Sequence, residues 1–157
     1  MTTEIRAFLE RHLQSVFESD LETYRATTSG DLTLYEWYIT PHRIDGVAFH
    51  EFMITEAARG GAAPMTGMAL ATTERSAAPH HHEPPRTRFD LANYREQRYG
   101  DTAIVSYTLL ISQSSPHGVL VRNYNESRVI IKFPEGWRVV HVHKSPAWHA
   151  PFQPPKA

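Results

Sequence analysis

The chain has 157 residues and no cysteine, with 16 basic against 17 acidic side chains and a formal charge of −1. Such a length suits one domain with its own core, and the lack of cysteine excludes disulfides, thiolate nucleophiles and thiolate metal sites. The charge balance shows no basic excess of the kind nucleic-acid binders carry. The N-terminal MTTEIRAFLERHLQ is charged and amphipathic, lacks the apolar run of a signal peptide, and no stretch approaches membrane-spanning length. The expectation is a cytoplasmic protein with neither nucleic acid nor membrane as partner.

Residues 4–18 place Ile5, Phe8, Leu9, Leu13, Val16 and Phe17 at helical spacing, with Thr2 or Thr3 available as the N-cap. Asp20 can cap a second, short helix carrying Leu21 and Tyr24, which breaks near Thr27-Thr28-Ser29-Gly30. Leu32–Tyr38 reads as a strand with Leu32, Leu34, Glu36 and Tyr38 on one face and Thr33, Tyr35 and Trp37 on the other. After Pro41 the pattern predicts a third helix from about Asp45 through Arg59, with Val47, Phe49, Phe52, Met53 and Ala57 as its apolar positions.

The second half changes in kind. Four β-rich runs, Thr87–Arg98, Thr102–Ser112, Val119–Phe133 and Trp137–Ser145, are separated by turn signals at Tyr99-Gly100-Asp101, 114–118 and Pro134-Glu135-Gly136. Short links between long strands predict antiparallel neighbours, and helices followed by such a sheet predict an α+β fold. Between the halves, 62–86 is an irregular insertion rich in Ala, Thr, Pro and Gly, a lid or an arm. It lies within a single domain of residues 1–147, and residues 148–157 form a proline-rich tail.

Two segments resemble the association (hub) domain of calcium/calmodulin-dependent protein kinase II and its free-standing bacterial, SnoaL-like relatives in the NTF2-like superfamily. In 35–52 the matching residues are Tyr35, Glu36, Gly46, Phe49, His50 and Phe52. In 125–147 they are the Glu126-x-Arg128-Val129 strand, the Gly136-Trp137 hairpin and the His141-x-His143-Lys144-Ser145 ending. The resemblance implies an NTF2-like cone, with N-terminal helices packed on a strongly curved antiparallel sheet enclosing a pocket, and implies a homodimer or higher homo-oligomer. It departs from the family pattern in three ways: Tyr94 stands where the family has a pocket histidine, Leu109 where it has an arginine, and the 62–86 insertion has no counterpart.

Several residues could carry chemistry. Glu126 and Arg128, two apart on a strand, leave the same face. Arg128 in a low-dielectric cavity would hold a carboxylate in two-pronged fashion, unless the pair simply satisfies itself. His141 and His143 share the face opposite Val140, Val142 and Lys144, so either the histidines or Lys144 face inward; the resemblance favours Lys144. The catalytic candidates are Glu36, Tyr94 and His143, and the ligand-binding candidates are Arg128, Lys144, Glu126, Glu36, Tyr24 and Tyr94. Glu36, raised by burial, would be a general base beside a tyrosine hydroxyl, or would pair with Arg128 or Lys144. The His80-His81-His82-Glu83 run cannot turn every ring to one ion, so no metal site is assigned, and no cofactor motif is present. Trp37, Trp137 and Trp148 read as packing residues, with an interface contact to a neighbouring copy as the alternative for Trp148 in the proline-rich tail.

Two functions follow. The first is a self-associating domain that binds a small, acidic molecule in its cone. The alternative is an enzyme of SnoaL or ketosteroid-isomerase type, doing acid/base chemistry on a small hydrophobic substrate.

Overall fold

A computed structural model of the chain describes residues 2–59, 87–115 and 118–147. The 62–86 insertion with its histidine run, and the tail with Trp148, lie outside the described residues.

Helix α1 spans Glu4–Phe17, and Thr3 caps it by accepting from the Arg6 amide at 3.1 Å. It buries the expected stripe of Ile5, Phe8, Leu9, Leu13 and Val16, with His12 among them. Helix α2, Leu21–Thr27, is capped by Asp20, which accepts from the Thr23 amide at 3.0 Å. Strand β1 then runs Thr28–Glu36, so it starts where the sequence suggested a break and ends before the expected Tyr38. Ser29-Gly30-Asp31 is instead an irregularity within the strand: Thr28 lies opposite Val139 and Thr33 opposite His141, five residues against two. After Glu36 the chain turns, with the Ile39 amide donating to the Glu36 carbonyl at 2.9 Å.

Ile44–Asp45 forms a short strand, β2, and helix α3 occupies Ala48–Ala58. This helix begins later than the sequence suggested, because Gly46 has φ of +80° and cannot be helical. It buries His50, Met53 and Ile54, whereas the expected inward Phe49 and Phe52 are exposed.

Strands β3 (Thr87–Tyr99), β4 (Thr102–Ser115), β5 (Gly118–Phe133) and β6 (Gly136–Pro146) match the predicted runs to within a few residues. Sheet order is β2-β1-β6-β5-β4-β3. All pairs are antiparallel except β1 with β6, which is parallel. The expected antiparallel sheet is therefore a mixed one, because no hairpin joins β1 to its neighbour and nothing forces the pair to run in opposite directions. Two bulges bend it. One lies between Ala92 and Arg95, where Asn93 takes φ of +52°, and the other sets Val140 outside the β5–β6 pairing. The sheet stays open between β2 and β3, and α1 and α2 cover its concave face. Ile5, Leu9, Leu13, Leu32, Leu34, Val105, Leu109, Ile130 and Val142 form the apolar centre.

The Val140 bulge decides what faces inward on β6. Trp137 and Val139 are buried before it and Val142 and Lys144 after it, whereas plain alternation from Val139 would have turned His141 and His143 into the core.

Candidate functional site

Charged residues gather where β1, β5 and β6 run side by side. Glu36 ends β1, opposite Lys144 on β6, and Lys144 in turn lies opposite Glu126 on β5. Arg128 stands two residues further along the same face of β5. Glu36, Glu126, Arg128 and Lys144 are 0%, 3%, 1% and 4% exposed, so all four charges lie within the fold. Charges this deep persist only when paired.

Arg128 is held on three sides. Its Nε donates to the Tyr107 hydroxyl at 2.7 Å, Nη2 to Glu126 Oε2 at 2.9 Å, and Nη1 to His12 Nε2 at 2.9 Å. The Tyr107 hydroxyl also donates to Glu126 Oε2 at 2.6 Å, closing a three-membered network. Burial raises the Glu126 carboxyl, but Arg128 and then Lys144 outweigh it, leaving Glu126 below the usual carboxylate range.

His12 is the neutral fourth member. A guanidinium can only donate, so Nε2 is the acceptor and carries no proton. Nδ1 then donates to Thr27 Oγ1 at 2.9 Å, a hydroxyl that itself donates to the Thr23 carbonyl at 2.8 Å. Burial, followed by the adjacent Arg128 charge, pushes His12 well below the ordinary histidine value.

The second ion pair joins Lys144 Nζ to Glu36 Oε1 across the parallel strands. His50 Nε2 is 3.7 Å from the same oxygen, and its Nδ1 is 2.5 Å from the Tyr24 hydroxyl. Burial and then Lys144 lower His50 to about 4, so it is neutral at physiological pH. Burial alone would raise Glu36, yet the Lys144 ammonium, by its charge and its hydrogen bond, brings it below its ordinary value. The Tyr38 hydroxyl lies beside the Glu36 carboxylate, and burial and then the Glu36 charge raise its pKa.

The structure thus brings together Glu36, Glu126, Arg128, Lys144 and Tyr24 of the residues singled out from the sequence. It separates two others. Tyr94 is half-buried at the rim, where its hydroxyl donates to Glu96 Oε2 at 3.1 Å and the Arg6 guanidinium covers its ring at 5.1 Å. His143 is exposed on the outer face, its ring 5.3 Å from that of Tyr35. His141, beside it, bonds Thr33 Oγ1 at 2.8 Å. Among the described residues no three metal-ligating side chains converge. A groove of about 580 Å³ lies between α1 and β3, lined by Arg6, Glu10, Arg11, Phe17, Arg88 and Asp90, and shares no residue with the charged cluster.

His12, His50, Tyr107 and Tyr38 were not among the candidates. His12 was open to detection, since it shares the apolar stripe of α1 one turn after Phe8. Tyr107 alternates with the buried Val105 and Leu109 and so was destined for the concave face.

The sequence profile of the calcium/calmodulin dependent protein kinase II association domain matches residues 1–68 and 80–148. The chain belongs to that family. Among solved structures it is similar to the CaMKII hub homology domain of Chlamydamonas reinhardtii, at TM-score 0.70 and 23% identity over 92% of this chain and 97% of that one. It is also similar to the CaMKII hub of S. rosetta, at TM-score 0.65 and 24% identity, covering 91% and 94%. An NTF2-like protein from Cytophaga hutchinsonii aligns at TM-score 0.60 and 14% identity, covering 90% and 94%. These identities speak for the fold alone, an NTF2-like α+β cone. No match is found among curated protein sequences. Among the described residues no helix is long and apolar enough to cross a membrane.

Proposed function

We propose that this association domain assembles with copies of itself and holds a small carboxylate inside its cone, with Arg128 as the anchor. The observation that carries the reading is the unfinished hydrogen bonding of Arg128. A guanidinium has five N–H groups, and three are used by Tyr107, Glu126 and His12. One N–H on Nη1 and one on Nη2 are left over among the described residues, and the end-on grip of a guanidinium on a carboxylate uses one N–H from each of those nitrogens. Self-association is supported by the family and by Val119, Leu120 and Val121, three consecutive apolar residues of β5 that are 68%, 43% and 55% exposed.

Proton-transfer catalysis draws less support. Glu36 is paired with Lys144 and lowered rather than raised, which makes a weak base. Tyr94 and His143 both stand apart from the cluster.

Calorimetric titration with straight-chain acids from propionate to hexanoate tests the reading. The wild-type protein is expected to bind at least one of them. The double variant Arg128→Met with Glu126→Gln, which removes both charges together and so strands neither, is expected to lose that binding while remaining folded. Equal affinity in the two proteins would overturn Arg128 as the anchor.

A further inference from the structure

The groove between α1 and β3 is a different kind of place from the interior of the cone. Its volume of about 580 Å³ falls within the roughly 300–1,000 Å³ of small-molecule sites. Helical periodicity supplies one wall: Arg6, Glu10, Gln14 and Phe17 recur at steps of three or four residues, with Arg11 beside them. The first residues of β3, the edge strand of the sheet, supply the other. Across the groove the rings of Phe17 and Phe89 stack, with centroids 5.0 Å apart and planes 14° off parallel. With Leu91 they pack on the core while staying only partly buried. An apolar, ring-bearing surface thus lies among charged side chains.

Those charges do not cancel. Arg6, Arg11 and Arg88 line the groove against Glu10 and Asp90, three positive charges to two negative. Arg6 pairs with Glu10 at 2.9 Å and Arg88 with Asp90 at 2.9 Å. Arg11 has no carboxylate partner among the described residues, and its guanidinium lies 6.0 Å from the centroid of the Phe8 ring. One anionic group would balance the groove and give Arg11 a two-pronged partner. Guanidinium planes also stack on aromatic faces, as that of Arg6 does on Tyr94 at 5.1 Å. A flat aromatic body would gain from both the phenylalanines and the arginines, whereas an alkyl chain would gain only the apolar contact.

We infer that the α1–β3 groove is a second binding site, for a singly charged aromatic carboxylate of one or two rings. Arg11 takes the carboxylate, and Phe17 and Phe89 take the ring. The site shares no residue with the charged cluster and does not depend on the role of Arg128.

The probe is 2-naphthoate, titrated by calorimetry at neutral pH beside the neutral 2-naphthamide and the straight-chain nonanoate. Naphthoate is expected to bind about tenfold tighter than the amide, the gain of one charge-assisted pair, and several-fold tighter than nonanoate. Arg11→Gln changes an exposed side chain that holds no acid and puts another good helix former in its place. It is expected to weaken naphthoate about tenfold and leave the amide unchanged. Phe89→Leu keeps the groove apolar and is expected to remove the preference for naphthoate over nonanoate. The Arg128→Met, Glu126→Gln variant is expected to bind naphthoate as the wild type does. Absence of naphthoate binding, an affinity unchanged by Arg11→Gln, or nonanoate binding as tightly as naphthoate would each overturn the inference. Binding lost in the Arg128→Met, Glu126→Gln variant would also overturn it, by placing the acid in the cone.

Discussion

The two buried ion pairs of this domain are built on opposite plans. Arg128 and Glu126 are neighbours on one strand, closed by Tyr107 and His12 into a network with donors left over. Lys144 and Glu36 come from β6 and β1 and tie the parallel strands together, with the Tyr38 hydroxyl beside the carboxylate. The first pair is local in sequence and was readable there. The second exists only because the sheet places residues 108 positions apart side by side. Donors left over on a buried guanidinium are what a self-sufficient core would not show, and they are the basis for proposing a ligand.

Breaking the first pair should have the largest effect. Glu126→Ala leaves a buried guanidinium that cannot shed its proton, and a loss of about 3–5 kcal/mol is expected in urea unfolding. A loss under about 1 kcal/mol would mean that Arg128 finds water or another partner.

Lys144→Met should cost less, about 2–3 kcal/mol at neutral pH, because the stranded Glu36 can take up a proton. The pH dependence separates the two. In the wild type Glu36 is lowered, so its contribution is present above the ordinary carboxylate value and is lost as pH falls through its folded value. Without Lys144, burial raises Glu36 and the sign reverses. The deficit of the variant should therefore narrow on acidification, and a deficit independent of pH would refute the pairing.

The buried histidines give a third handle. Both are lowered, so the unfolded chain binds protons that the folded chain refuses. Their contribution is complete above the ordinary value of 6.5 and declines as pH falls, for His50 until about 4. Each should add a slope on the order of 1 kcal/mol per pH unit in that window. His12→Phe, followed by urea unfolding across pH, should remove one of the two slopes; a pH dependence undiminished by the substitution would mean His12 is not buried neutral.

The smallest effect is expected at Tyr38. Its hydroxyl is set against a Glu36 carboxylate that Lys144 also holds, so Tyr38→Phe should cost only about 0.5–1 kcal/mol. A loss above about 2 kcal/mol would show that the hydroxyl carries more than that one contact.

Much of this fold was legible in the sequence. Helix α1 and strands β3 to β6 have long periodic patterns and clear turn signals, and their bounds fall within a few residues of expectation. The failures are where tertiary structure overrides local pattern. Ser29-Gly30 looks like a break but is an irregularity in a strand held by β6. Phe49 and Phe52 look like core, yet α3 turns His50 inward, and the two phenylalanines are exposed. The inward face of β6 could not be read by alternation at all, because one bulged residue, Val140, switches which side chains enter the core. Of the site, Glu126 with Arg128 followed from spacing alone. His12 and Tyr107 did not, since each became a polar partner only when helices or strands distant in sequence met.

Native mass spectrometry of the untagged protein, incubated with the straight-chain acid that binds best, tests the central claim most directly. The account predicts a homo-oligomer carrying one acid per subunit, with the adduct absent from the Arg128→Met, Glu126→Gln variant. A monomer, or an oligomer whose adducts persist in that variant, would contradict it.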